Sequence, residues 1–291
     1  MAFFIFLLES FDNLTIMNMH LKTGRQNEAL VRWQQAVNRS VSYRRFITGA
    51  DEKYWEQFSE NYFQNRTSGP HYHEVLEQVL KGIPHEADLL EIGPGPGVFT
   101  LALIAHVRRL TAVEPSPAVV KALRSKTSHC SNIEIIHHSW EEAMIEPHDV
   151  VFAAGVLYVF YHLDAALRKM IHHARQKVLL VTLHDEQPLL HDIATILNMT
   201  APAPDPSPAL ILDVLQSITT AFSYEKLNGR QTYRYPSLAA WLDLWTQSMK
   251  PAPEQLSRMK ACLEAKGGYV QDNGEVIVPR EFSTHIITIY T

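Results

Sequence analysis

The stretch Leu89-Leu90-Glu91-Ile92-Gly93-Pro94-Gly95-Pro96-Gly97-Val98-Phe99-Thr100 leaves the chain few folds to choose from. A short apolar run from Leu89 to Ile92 ends in glycines at every second position, and an apolar helical pattern follows from Val98 to Val107. Read by period, this is a buried strand, a tight turn and a helix. A chain leaving a buried strand must turn sharply, and a Cβ at the turn would hold the backbone away from any ligand, so glycine serves both needs. The same residues also make a turn with no ligand, and a second feature has to separate the two readings.

That feature is Glu114. Arg109 to Val113 read as the next strand, and Glu114 stands at its end, 19 positions after Gly95. An acid about 20 residues past a glycine loop, at the tip of the neighbouring strand, is placed to accept hydrogen bonds from both hydroxyls of a ribose. The spacing of the loop also selects among ligands. A dinucleotide fingerprint needs its third glycine or alanine three residues after the second, and Val98 holds that position. Glu91, two residues before Gly93, would repel a pyrophosphate and attract the ammonium of an amino-acid ligand. An acid followed by Gly-x-Gly-x-Gly, with Glu114 beyond it, resembles the class I S-adenosylmethionine-dependent methyltransferases. The resemblance implies S-adenosyl-L-methionine as cofactor and assigns the ribose to Glu114.

Other classes are disfavoured by composition. A net charge of −5 offers no general attraction to a phosphate backbone, and two cysteines far apart, Cys130 and Cys262, suit a reduced cytoplasm. The apolar start Met1 to Leu8 ends at Glu9 with no preceding lysine or arginine, too short for a span or a secretory leader. His71/His73, His137-His138 and His172-His173 point in divergent directions on helix or strand, and no metal site is expected.

Along the chain, helical spacing runs through Leu30, Trp33, Val37 and Val41, then from Asp51 to Gln64 and from Pro70 to Gly82. The Trp55-x-x-Phe58-x-x-x-Tyr62 segment is similar to one that folds over the cofactor in this family, which implies Tyr62 near its methionine end. After Glu114, Pro115 and Ser116 open a helix. The turn Ser139-Trp140-Glu141, after a strand from Asn132 to His137, falls where the family holds adenine. The resemblance implies that Trp140 stacks on the ring and Glu141 accepts from its amine, although a surface helix start accounts for the acids nearly as well. A strand from His148 to Ala154 exits through Gly155-Val156-Leu157-Tyr158, beside the transferred methyl group in the family, and a strand from Lys177 to Leu183 ends at His184. Two helical patterns within Pro188 to Thr220 flank four prolines in seven residues. Asn228-Gly229 predicts a hairpin turn, and Val276 to Tyr290 closes the chain as one or two strands.

The expected fold is α/β: a doubly wound, mostly parallel seven-stranded sheet with an antiparallel last strand. Residues 1–69 form a helical N-terminal extension or cap, 70–291 the cofactor-binding domain, and 188–220 a helical insertion before the sixth strand that acts as a lid. The cofactor set is Tyr62, Glu91, Gly93, Pro94, Gly95, Gly97, Glu114, Pro115, Ser139, Trp140, Glu141 and Ala154. Tyr158 and His184 are candidates for a general base, each more readily explained as pocket wall. The expected activity is methyl transfer to a small-molecule acceptor. Two other readings stay open. One is an RNA methyltransferase, since Gly93-Pro94-Gly95 resembles ribosomal adenine dimethylases and Arg44-Arg45 with Arg108-Arg109 supply some positive charge. The other is a regulatory protein that binds the cofactor and transfers nothing. Against RNA, Ala153 to Tyr158 lacks the Asn/Asp-Pro-Pro-Tyr/Phe motif that grips an adenine amine.

Overall fold

Alternating buried strands and amphipathic helices give this chain a twisted parallel sheet with helices on both faces. The structure, a computed structural model, describes residues 28–184, 188–198, 203, 205–241 and 252–291. The apolar start Met1 to Leu8 and most of the helical pattern between Ser237 and Met249 lie outside the described residues. Four helices precede the sheet: α1 (28–39), α2 (Val41–Ile47), α3 (Ala50–Thr67) and α4 (Pro70–Gly82). Then come β1 (Asp88–Ile92), α5 (Thr100–Ile104), β2 (Arg109–Val113), α6 (Pro117–Lys126), β3 (Ile133–Ile136), β4 (His148–Ala154), α7 (Leu163–His173) and β5 (Ala174–His184). The chain continues through α8 (Pro188–Ile196), α9 (Pro208–Gln216), β6 (Phe222–Tyr235), α10 (Pro253–Ala265), β7 (Tyr269–Val270) and β8 (Val276–Tyr290).

The strand order is β3-β2-β1-β4-β5-β8-β6, with the two-residue β7 pairing with β8 off this path. Strands β1 to β5 pair in parallel, and β8 runs antiparallel to β5 and β6. The expected sheet is therefore present, with β7 as a short addition. Two apolar layers sandwich it. Trp33 and Val37 of α1 join Leu90, Val151, Leu180 and the helices α7 and α9 on one face. On the other, Val75 and Val79 of α4 meet Leu89, Leu110, Phe152 and Val181. The alternation of Leu89 and Leu90 between the two layers is the period-2 consequence of a strand buried on both sides.

Two expectations change. Asn228-Gly229 makes no hairpin turn: β6 runs straight through, pairing Asn228 with Ser283 and Gly229 with Phe282. Glycine is needed there for contact rather than for turning, because a Cβ on Gly229 would lie 2.3 Å from the His71 ring. The segment 188–220 is also not one unit. Helix α9 packs on the main sheet, whereas Ile193 and Ile196 of α8 enter a third apolar cluster with Met259 and Leu263 of α10, Tyr233, Tyr235, Val276 and Val278. The distal halves of β6 and β8 thus carry a small lobe of their own beyond the doubly wound sheet.

Candidate functional site

At the C-terminal ends of β1, β2 and β4 the strand order turns back on itself, and a crevice opens there, where such sheets bind ligands. The cleft has an empty volume of about 830 Å³, a figure that includes its open mouth. Its floor is Glu91 near the end of β1, Gly93 to Pro96, Val98 and Phe99 after that strand, and Glu114 and Pro115 after β2. One side is Ala154 to Val156, Tyr158 and Val159 after β4, together with Leu183. Helices α2 and α3 bring Phe46, Trp55, Tyr62 and Arg66 over it.

The glycine loop is shaped by backbone geometry. Gly93 has φ 64° and Gly95 φ 55°, values that residues with a Cβ adopt only at a cost. A Cβ on Gly93 would come within 2.6 Å of Val156 Cγ2, whereas one on Gly95 would meet nothing within 4 Å. Gly93 is therefore required by packing against the β4 exit, and Gly95 leaves its backbone bare on the cleft side. Tyr72 of α4 steadies the loop by donating its hydroxyl to Val98 O at 2.7 Å, a role with no signal in the sequence beyond an aromatic residue on a helix.

Two acids share the floor. Glu114 is 6% exposed and accepts from Ser116 N at 2.9 Å, which fixes its carboxylate at the strand tip. Glu91 is 2% exposed, and its Oε2 has no hydrogen-bond partner. Burial pushes the Glu91 carboxyl up to about 8, opposed by Thr100 alongside it and reinforced by the charge of Glu114. A buried polar atom without a partner is costly, and one on the wall of a cleft is a place for a ligand donor or cation.

The α3 cover is held at both ends. Glu52 near its start accepts from Ser116 Oγ at 2.6 Å and Ala118 N at 2.7 Å, capping α6. Near its end, Asn65 donates to Arg234 O at 2.9 Å and accepts from Arg234 N at 2.7 Å, so β6 grips the helix. Inside, Trp55 meets Tyr62 edge-on at 5.3 Å.

Of the residues expected for the cofactor, Tyr62, Glu91, Gly93, Pro94, Gly95, Glu114, Pro115 and Ala154 come together in this cleft, and Tyr158 lines it too. Gly97, Ser139, Trp140, Glu141 and His184 do not. Gly97 turns toward packing, since its Cβ would lie 3.1 Å from Leu123 Cδ1. The stacking expected of Trp140 is corrected outright. Its indole is 3% exposed, Nε1 donates to Ala166 O at 3.3 Å, and Lys169 Nζ sits 4.5 Å from the ring centroid. No ring face is left for a base. Ser139 Oγ accepts from Glu142 N at 3.3 Å as a turn cap, and Glu141 is exposed outside the cleft. His184 alternates with the cleft residue Leu183, so strand period sends it to the opposite face, where it contributes to the electrostatic environment of His285. Phe46, Arg66, Val159 and Leu183 line the cleft without having been singled out. Arg66 lies one helical turn from Tyr62, and that i,i+4 spacing was the available signal. Among the described residues no group of His, Cys, Asp or Glu fits a metal ion, and no helix is long and apolar enough to cross a membrane.

Residues 89–177 match a family model described as a methyltransferase domain. Over 102 residues the chain is 29% identical to an rRNA adenine N-6-methyltransferase of Saccharopolyspora erythraea, covering 35% of this chain and 26% of that protein. It is 30% identical over 145 residues to an uncharacterized methyltransferase of Bacillus pumilus, covering 47% of this chain and 57% of that one. The chain thus spans between about a quarter and just over half the length of these curated relatives. Among solved structures, the YcgJ protein from Bacillus subtilis superposes with a TM-score of 0.51 at 16% identity, covering 75% of this chain and 98% of that one, a likeness of fold.

Proposed function

Residues 89–177 belong to the methyltransferase domain family, and from that premise we propose that this chain transfers a methyl group from S-adenosyl-L-methionine to a small-molecule acceptor. One observation carries the reading: the glycine loop, Glu114 and the buried, partly unsatisfied Glu91 border a single cleft. Glu114 accepts from the ribose hydroxyls, Gly95 lets the backbone approach the ligand, and Glu91 answers the ammonium of the amino-acid end. The sulfonium supplies an already electrophilic methyl carbon, so the protein's task is to orient the acceptor and exclude water. Tyr62 and Trp55 on α3 and Tyr158 after β4 are the walls suited to that task. The helices before residue 70 serve as the cap, with α2 and α3 supplying the residues that line the cleft.

The small acceptor is supported by the aromatic cover over the cleft, by the net charge of −5 and by Ala153 to Tyr158, which lacks the groups that grip an adenine amine. A second reading, an RNA acceptor, draws on the named activity of the Saccharopolyspora relative. Two experiments test the proposal. Calorimetry should give binding of S-adenosylmethionine and none of NADH; the reverse overturns the cofactor. Methyl-labelled cofactor incubated with total RNA and with a metabolite extract should label metabolites. Label confined to RNA overturns the small acceptor, and bound cofactor with no turnover in either favours the non-catalytic reading.

A further inference from the structure

Arg66 stands out among the charged residues of the cleft. It lines the cleft from α3, together with Glu91 and Glu114. Arg32, Arg108, Arg109 and Arg175 each pair with a carboxylate, but no Asp or Glu among the described residues forms an ion pair with Arg66. Its partners are neutral phenols. Nη1 donates to Tyr233 OH at 3.0 Å, and the guanidinium carbon lies 5.5 Å from the Tyr62 ring centroid. A guanidinium has five N–H donors in a planar fork and no acceptor, so two hydroxyl neighbours leave it short of both partners and counter-charge. Arg66 is half-buried, and a guanidinium there with no carboxylate beside it suits an anionic ligand.

Arg66 is also held in place before any ligand arrives. The neighbouring Asn65 is locked to Arg234 through both of its amide atoms, and Asn61 donates to the same carbonyl at 3.0 Å. Tyr233, which accepts from Arg66, is itself 8% exposed in the apolar core of the distal lobe. A fork fixed by rigid elements binds a planar anion with little ordering cost.

We propose that Arg66 is a carboxylate-binding residue of the cleft, with Tyr62 and Tyr233 orienting its guanidinium. The carboxylate belongs either to the amino-acid end of the cofactor or to the acceptor. The inference rests on the methyltransferase reading for its ligand, and the test separates the two. S-adenosylmethionine and its decarboxylated analogue are titrated into wild type, Arg66→Met and Arg66→Lys by calorimetry. Benzoate and benzamide are titrated into the same proteins, alone and loaded with S-adenosylhomocysteine, by ligand-observed NMR. Arg66→Met, which keeps the length of the side chain, should weaken a carboxylate ligand by roughly tenfold or more and leave its carboxylate-free counterpart within about twofold. Arg66→Lys should fall between, because it keeps charge and loses the fork. Selective loss in the cofactor pair assigns the site to the cofactor's carboxylate; selective loss in the benzoate pair assigns it to the acceptor. If in each pair both members weaken together, or neither weakens, the proposal is overturned. Failure of wild type to bind S-adenosylmethionine would sink the methyltransferase reading, while the benzoate pair on unloaded protein would still judge Arg66.

Discussion

Burial favours the neutral form of the Glu91 carboxyl in the ligand-free protein, and an ammonium arriving beside it would favour the charged form. Its carboxyl is raised from 4.5 to about 8 by burial, so between those values the folded state binds more protons than the unfolded one. Stability therefore falls as pH rises through that window, by at most about 1.4 kcal/mol per pH unit from this group, and levels off above it. Glu91→Gln should flatten that slope in urea titrations from pH 5 to 8.5; an unchanged slope would mean that Glu91 is already ionised. Glu114 is predicted to act on the ligand instead. Glu114→Ala should weaken S-adenosylmethionine binding by about 1–3 kcal/mol, the range for hydrogen bonds to a charged group, with a circular dichroism spectrum like wild type. The two glycines should differ in kind. Gly93→Ala forces a methyl to within 2.6 Å of Val156 and should lower thermal stability, whereas Gly95→Ala meets no protein atom and should show its larger effect in cofactor affinity. Equal effects on both measurements would refute that division.

At the scale of elements, α3 is a strap clasped by α6 at one end and β6 at the other. Glu52 caps the α6 N-terminus with two hydrogen bonds from Ser116 and Ala118, so Glu52→Ala should speed amide exchange in the first turns of both helices while α4 is unaffected. The β6–β8 ladder has a different sensitivity. His285 of β8 is 6% exposed, hydrogen-bonded to Tyr224 OH at 2.6 Å and to Ser283 Oγ at 2.7 Å. Burial, with Lys226 and His184 nearby, lowers its pKa from 6.5 to about 4. Between those values the unfolded chain binds the extra proton, so the contribution of His285 is complete above pH 6.5 and is lost as pH falls toward 4. Amide exchange in β6 and β8 should accelerate over that range in wild type and not in His285→Gln.

The whole molecule is a doubly wound sheet with a second, smaller core built on the overhanging ends of β6 and β8. Leu263 and Met259 of α10 are fully buried in it. Leu263→Ala should cost about 2–5 kcal/mol, the usual range for emptying such a site, and fast exchange should appear in α8 and α10 before the parallel strands. The glycine loop, the tip acid Glu114, the parallel strands and the helix from Pro70 to Gly82 were legible in the chain because local backbone geometry and short-range period dictate them. Trp140 reads the same in sequence whether it stacks on a ligand or fills a core, and Lys169, 29 residues away, decides between them. Asn228-Gly229 reads as a turn because that pair favours one; pairing with β8 and the His71 ring override the preference. Arg66 reads as a surface charge until α3 lies over the cleft and Tyr233 arrives from β6. The sequence by itself determined the strand-turn-helix unit and the acid beside it, since those follow from residues adjacent along the chain. Which side chains face the cleft was decided only by the tertiary structure, because burial and charge pairing there depend on groups far apart in sequence.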